Sequence, residues 1–264
     1  MKIAIDAGHG PNTAGKRAPD GSMREFEFNS AVAGYAVELL SRYQNAETLK
    51  VYDEAVDTPL GERTARANEW GADILVSIHA NAAGANWSDA AGIETYVYST
   101  RPPESVRLAE HIQEELVART GLRNRGVKAA NFHMLRESRM PAVLAECGFM
   151  TNREELALLK SDTYRRTCAA AIVAGIAKMY GLLPKQEVKP VRQSGDSEDA
   201  AIIEEPTGTP TVQRAVDVVV DGEPAGSGYL IDNVSYVPAR QIAELFGASV
   251  GWDGERVIII RRDS

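Results

Sequence analysis

Residues 72–81 read ADILVSIHAN, and the reading of this stretch decides the fold. Ile74 to Ile78 is a short, mostly apolar run, which reads as a strand. His79 follows it at once, so an imidazole stands where the strand ends and a loop begins. The same arrangement opens the chain. Ile3 to Asp6 is strand-like, and His9 follows within Gly8-His9-Gly10, where the glycines let the backbone turn tightly. Further short apolar runs occupy Leu49 to Tyr52, Ile93 to Tyr98 and Ala142 to Ala145.

Between these runs the period changes from two to that of a helix. Phe28, Val32, Tyr35, Ala36, Leu39 and Leu40 share one helical face, as do Val106, Ala109, Ile112 and Leu116. Thr151 and Glu154 form a capping-box pattern, which predicts a helix start. A further periodic stretch runs from Tyr164 through Cys168, Ile172 and Ile176 to Met179. Strands alternating with helices predict an α/β layer fold around a mostly parallel sheet.

The pattern stops near residue 183. Residues 184–211 hold prolines and acidic residues with little apolar periodicity and read as a linker. Residues 212–264 read as a small α+β domain. A strand at Ala215 to Val220 ends at Asp221-Gly222, a helix is expected between Pro238 and Gly247, and a strand at Val257 to Ile260 follows Asp253-Gly254. So short a segment forms only a marginal core, and it is expected to lean on a partner or to make a homodimer. The expected domains are therefore 1–183 and 212–264.

Bulk properties exclude some functions. The chain has 264 residues, 44% of them hydrophobic, enough for a sizeable core. A formal net charge of −8 argues against nucleic acid as the main ligand. The longest apolar run, Cys168 to Ala177, is far short of the roughly 20 residues a membrane span needs, so no membrane insertion is expected. Met1-Lys2 leads straight into the first strand, which reads as synthesis in the cytoplasm without a signal peptide. The two cysteines, Cys147 and Cys168, read as buried thiols.

Four histidines are present, and two of them matter most. In open parallel sheets ligands bind at the carboxyl ends of strands, where His9 and His79 both stand. Two imidazoles there can share one metal, and a carboxylate completes a catalytic zinc site with three protein ligands. Glu25 and Glu27, at the start of the first amphipathic helix, are the candidates, and spacing alone does not choose between them. Glu146 ends the apolar run PAVLA and is the candidate acid–base group, able to take a proton from a water and return it to a leaving amine. His111 reads as a solvated helix residue, and His133, expected just before a short strand, as mainly structural. Arg63 reads as a salt-bridge former, and Cys147 as packing rather than a nucleophile.

IDAGHG, Glu25-x-x-x-Asn29, Leu60-x-x-Arg63-x-x-x-Ala67-Asn68, ADILVSIHAN and PAVLAECGFMTN occur in this order. Together they resemble the zinc-dependent N-acetylmuramoyl-L-alanine amidases of the amidase-3 type, over roughly residues 1–181. The resemblance implies a three-layer α/β/α sandwich, Zn2+ held by His9, Glu25 and His79, and Glu146 as the catalytic residue. The register to Asn29 favours Glu25 over Glu27. It also implies a peptidoglycan substrate, cut between muramic acid and the L-alanine of the stem peptide. The segment between Glu25 and His79 has no room for an inserted blocking helix, so an open site is expected, as suits an endolysin or autolysin acting on the wall after release. The tail, with VDVVVDGEPA and YVPARQIAELFGASVGWD, resembles the small domain named after the N-terminal region of copper amine oxidases. No His, Cys or Met follows Met179, so no copper site is expected there.

Overall fold

The computed structural model describes residues 1–185 in full and, beyond them, the backbone of five strands at 214–220, 223–231, 234–236, 248–252 and 257–261. The chain divides into two compact units, Met1–Val191 and Arg192–Ser264.

In the first unit a six-stranded sheet is built from β1 (Lys2–Ala7), β2 (Glu47–Lys50), β3 (Ile74–Asn81), β4 (Ile93–Tyr98), β5 (Asn124–Ala130) and β6 (Ala142–Phe149), in the order β2-β1-β3-β6-β4-β5. Neighbours run parallel except β4 and β6, which are antiparallel. Six helices accompany it: α1 (Glu25–Leu40), α2 (Leu60–Trp70), α3 (Pro103–Thr120), α4 (His133–Arg136), α5 (Arg153–Lys160) and α6 (Asp162–Tyr180).

The unbroken apolar runs are explained by two cores, one on each face of the sheet. Ile74, Val76 and Ile78 pack with Phe28 and Val32 of α1, Ile112 of α3 and Ile172 of α6. Leu75, one residue out of phase, packs with Ala67 of α2 and Met134 and Leu135 of α4. Successive side chains point to opposite faces of a strand, so a strand between two helical layers is apolar on both faces except where a buried polar group finds a partner, as Ser77 and Asp6 do at 2.6 Å. The result is the three-layer α/β/α sandwich. Burying each large aliphatic side chain contributes about 1.5–3 kcal/mol. Close packing of α6 on α3 depends on Gly175, where a Cβ would lie 2.8 Å from the Ile112 Cα.

Several elements differ from the sequence reading. β2 begins earlier than expected and stops at Lys50, where its pairing with β1 ends at Ile5. Val51 and Tyr52 are buried beyond it. β5, NRGVKAA, was not expected at all; it is an edge strand with little apolar content, held by pairing with β4. His133 starts a helical turn rather than preceding a strand. The cap of α5 is Asn152, whose side chain accepts from the N–H groups of Glu154 and Glu155. Thr151 turns away and accepts from the Ala83 N–H at 3.0 Å.

In the second unit β7 (Arg214–Val220), β8 (Glu223–Ile231) and β9 (Val234–Tyr236) form an antiparallel sheet, and β10 (Ala248–Trp252) pairs with β11 (Val257–Arg261). The two strands expected there are found. The helix expected between Pro238 and Gly247 and the turns at 221–222 and 253–254 lie outside the described residues. So does the expected linker, except that its first two residues still pair with the first unit: Pro184 bridges Tyr43, and the Lys185 N–H donates to Arg42 O at 2.6 Å.

Candidate metal centre

Residues of β3 and β6 that share a phase with Leu75 and Leu144 face the α2–α4 side, and these include Ser77, His79 and Glu146. His79 and Glu146 stand in register across β3 and β6. Both strands run past them, to Asn81 and Phe149, so neither residue ends its strand as the sequence implied. His9 lies just beyond β1 in a left-handed conformation, φ 64°, which few non-glycine residues adopt. All three line a cavity of about 810 Å³ together with Glu25.

Glu25 is the first residue of α1 and is buried. One of its oxygens is 3.1 Å from His9 Nε2 and the other 2.9 Å from His79 Nδ1. The imidazoles meet edge to face, centroids 5.1 Å apart, and the donor atoms of His9, Glu25 and His79 all lie within 4.8 Å of one another. Glu27 is excluded from this cluster by helix geometry. Two residues on, it points about 200° away, and its carboxylate accepts from the Arg24 N–H at 3.1 Å. Asn29, one turn after Glu25, donates to Gly8 O at 2.9 Å and reaches the Glu25 carboxylate at 3.4 Å.

The donor set suits a cation. Ser77 Oγ donates to Asp6 Oδ2 at 2.6 Å, so toward His79 Nε2, 3.1 Å away, it acts as acceptor. In the neutral ring that a metal needs, the His79 proton sits on Nε2 and the Nδ1 lone pair faces Glu25 and His9, an outer hydrogen bond orienting the imidazole; in the protonated ring Nδ1 instead donates to Glu25 at 2.9 Å. Burial opposes a charge on Glu25, but hydrogen bonds with His79 and His9 prevail and hold its carboxyl below the usual range. Burial likewise opposes a charge on His79, and the Glu25 contact outweighs it and raises the imidazole.

Arg63 makes the strained His9 loop possible. Its buried guanidinium pairs with Asp6 at 2.8 Å and donates to the carbonyls of Thr58 at 2.9 Å, Ala7 at 2.5 Å and His9. The salt-bridge reading of Arg63 holds, with the addition that it anchors the His9 turn. Gly8 is required sterically, since a Cβ there would fall 2.0 Å from His79 Cε1.

Glu146 differs from every neighbouring carboxylate: its Oε2 is buried without a hydrogen-bond partner. Burial pushes its pKa up to about 8; Glu25 and Glu94 add to the rise, while His79 and Lys16 oppose it. Glu94, opposite it on β4, was not singled out in the sequence. Nor were Asp6 and Ser77, although both alternate correctly with the strand positions that face the site. His133 does line the cavity, with Nε2 3.3 Å from Thr64 Oγ1. His111 lies on α3, outside the cavity lining. Cys147 and Cys168 are free and buried; the Cys168 contact and burial push the Cys147 thiol well up, which removes it as a nucleophile.

An α/β sandwich in which an imidazole from the β1 loop, one from β3 and a carboxylate from the start of α1 converge, beside a buried carboxyl oxygen without a hydrogen-bond partner, defines a candidate metal-dependent hydrolase. Residues 3–178 match the Amidase_3 family of N-acetylmuramoyl-L-alanine amidases, and the chain belongs to that family. It is 35% identical over 182 residues to the N-acetylmuramoyl-L-alanine amidase CwlM of Bacillus licheniformis, covering 69% of this chain and 70% of the relative. It is 31% identical to the endolysin of Bacillus phage SPP1 over 228 residues, 81% of each chain. The crystal structure of an N-acetylmuramoyl-L-alanine amidase from Clostridium difficile 630 superposes with a TM-score of 0.66 at 32% identity, covering 69% of this chain and 97% of that one.

Proposed function

We propose that the chain hydrolyses peptidoglycan at the amide between the lactyl group of muramic acid and the first L-alanine of the stem peptide, with His9, Glu25 and His79 holding zinc and Glu146 moving the proton. Amidase activity on peptidoglycan is that of the family to which it belongs. The observation that carries the mechanism is the convergence of three donors within 4.8 Å beside a carboxyl that no other group satisfies. Zinc in such a site supplies Lewis acidity toward the carbonyl and lowers the pKa of water. Glu146 accepts the proton of the attacking water and delivers it to the L-alanine nitrogen as the amide breaks. Ser77 and Asp6 hold His79 in orientation, and Arg63 and Asn29 hold the backbone at residues 7–9.

Between Glu25 and His79 only α1, β2 and α2 occur, which supports an open cleft, as suits an endolysin or autolysin. Among the described residues no helix is long and apolar enough to cross a membrane. For the tail, its resemblance supports a wall-retaining or pairing module, and wall pull-down and sedimentation separate these two roles. The deciding experiment for the catalytic unit is digestion of purified peptidoglycan with metal content measured in parallel. New L-alanine amino termini without new reducing ends are expected. Other amino termini would mean a peptidase acting within the stem instead.

A further inference from the structure

The floor of the cleft is acidic, with Asp6, Glu25 and Glu146, yet cations stand on its wall. Lys16 and Arg17 line the same cavity. Both are exposed, and among the described residues neither side chain has an ion-pair or hydrogen-bond partner. Their backbone is nonetheless pinned. Lys16 O accepts from the Glu25 N–H at 3.0 Å, Arg17 bridges Arg24, and the Ala18 N–H donates to Met23 O at 2.9 Å. Ala18 and Met23 are buried in the α1-side core. The two cations therefore hang from a loop fixed one hydrogen bond away from the proposed ligand Glu25.

The residues contributed by the other helical layer are different in kind. Leu60 at the start of α2 and Phe132 at the entry to α4 line the cavity and are exposed, 51% and 40%, with Tyr96 packed on Phe132 at a centroid distance of 5.2 Å. The two halves of the substrate differ in the same sense. On the acyl side of the scissile amide lies an uncharged N-acetylated sugar, whose lactyl carboxyl is already consumed in the bond. On the amine side the peptide bears free carboxylates, the first on the γ-linked glutamate next to L-alanine. Unpaired cations attract carboxylates through charge-assisted hydrogen bonds, whereas an apolar and aromatic surface suits a sugar face.

Resting on the amidase reading above, we propose that Lys16 and Arg17 form a carboxylate subsite for the stem peptide, so that the peptide lies over the loop entering α1 and the glycan over Leu60 and Phe132. The subsite selects substrates whose glutamate α-carboxyl is free over those in which it is amidated.

The test compares two muropeptides that differ only in that group, free acid against α-amide, with wild type, Lys16→Gln, Arg17→Gln and the double variant. Binding of the tripeptide L-Ala-γ-D-Glu-L-Lys and of its α-amide to Glu146→Gln protein is measured alongside. Wild type is expected to favour the free acid by about tenfold in kcat/KM, equivalent to about 1.4 kcal/mol, mainly through KM, and the preference should fall as salt rises. Both substitutions should shrink the ratio, the double variant should bring it close to one, and Lys16→Arg should retain it. Wild type cleaving both substrates equally, or variants keeping the preference, overturns the subsite and leaves the amidase standing. Failure of wild type to release L-alanine amino termini from either substrate overturns the amidase reading and this proposal with it.

Discussion

Glu94 and Glu146 stand directly opposite one another on the antiparallel pair β4–β6, and they are carboxylates with opposite surroundings. Glu94 accepts from Arg125 at 2.6 Å, Tyr96 at 2.7 Å, Asn81 at 2.7 Å and also from Lys128. Burial would raise its pKa, but these donors hold it down at about 2. Glu146 keeps one oxygen without a donor and is pushed up to about 8. Neighbouring acids driven apart in this way divide the work. Glu94 stays ionised and structural, while Glu146 is free to gain and lose a proton.

Replacing Glu146 with Gln is therefore expected to lower the rate of peptidoglycan cleavage by about 10²–10⁴-fold, the contribution of a general acid–base, with bound zinc unchanged. Release of L-alanine amino termini and metal analysis on the same sample check this. Activity at the wild-type level would falsify the proton-transfer role.

Chelation should silence the enzyme, and zinc should restore it. Because folded protein alone presents the three donors, zinc at one hundred times its dissociation constant should stabilise the fold by about 2.7 kcal/mol. Thermal unfolding with and without zinc measures it. His79→Ala should abolish the zinc-dependent rise.

Gly8→Ala places a methyl group where the His79 ring stands, 2.0 Å from Cε1. The ring must shift, so zinc affinity should drop while the far-ultraviolet circular dichroism stays native. A variant that binds zinc as tightly as wild type would show that the turn relaxes instead.

Arg63→Met leaves Asp6 buried without its partner and frees the carbonyls of Ala7 and His9. Breaking a buried pair in this way costs about 3–5 kcal/mol, measurable by urea unfolding. Arg63→Lys should recover little, because a single ammonium cannot reproduce the guanidinium fork that reaches Asp6 and three carbonyls at once.

Glu94→Gln should cost about 1.5–3 kcal/mol at neutral pH, the worth of hydrogen bonds to a charged group. The sign of its pH dependence follows from a folded pKa lowered from 4.5 to about 2. The stabilisation is complete above the unfolded value and is lost as pH falls through the folded one. The gap between wild type and variant should thus narrow as acid is added through that window. A gap that does not change with pH would remove the charge from the explanation.

The sequence by itself determined the layer architecture and named three residues, His9, Glu25 and His79, that the fold brings together. Apolar runs such as Ile74 to Ile78, alternating with helical stretches, call for helical layers around a mostly parallel sheet, and histidines near the ends of such runs lie toward its carboxyl edge. Ordered motifs carried the family. The weakly apolar edge strand β5 was illegible because its place depends on pairing with β4, not on its own side chains. Only the tertiary structure separated Glu25 from Glu27 in physical terms, since their difference is a rotation about the α1 axis. The partners of Arg63, the Ser77–Asp6 support of His79 and the contrast between Glu94 and Glu146 were likewise decided there. Each depends on which groups from distant segments come within about 3 Å, and hydrogen bonding and burial at that range are set by the packed fold, not by spacing along the chain.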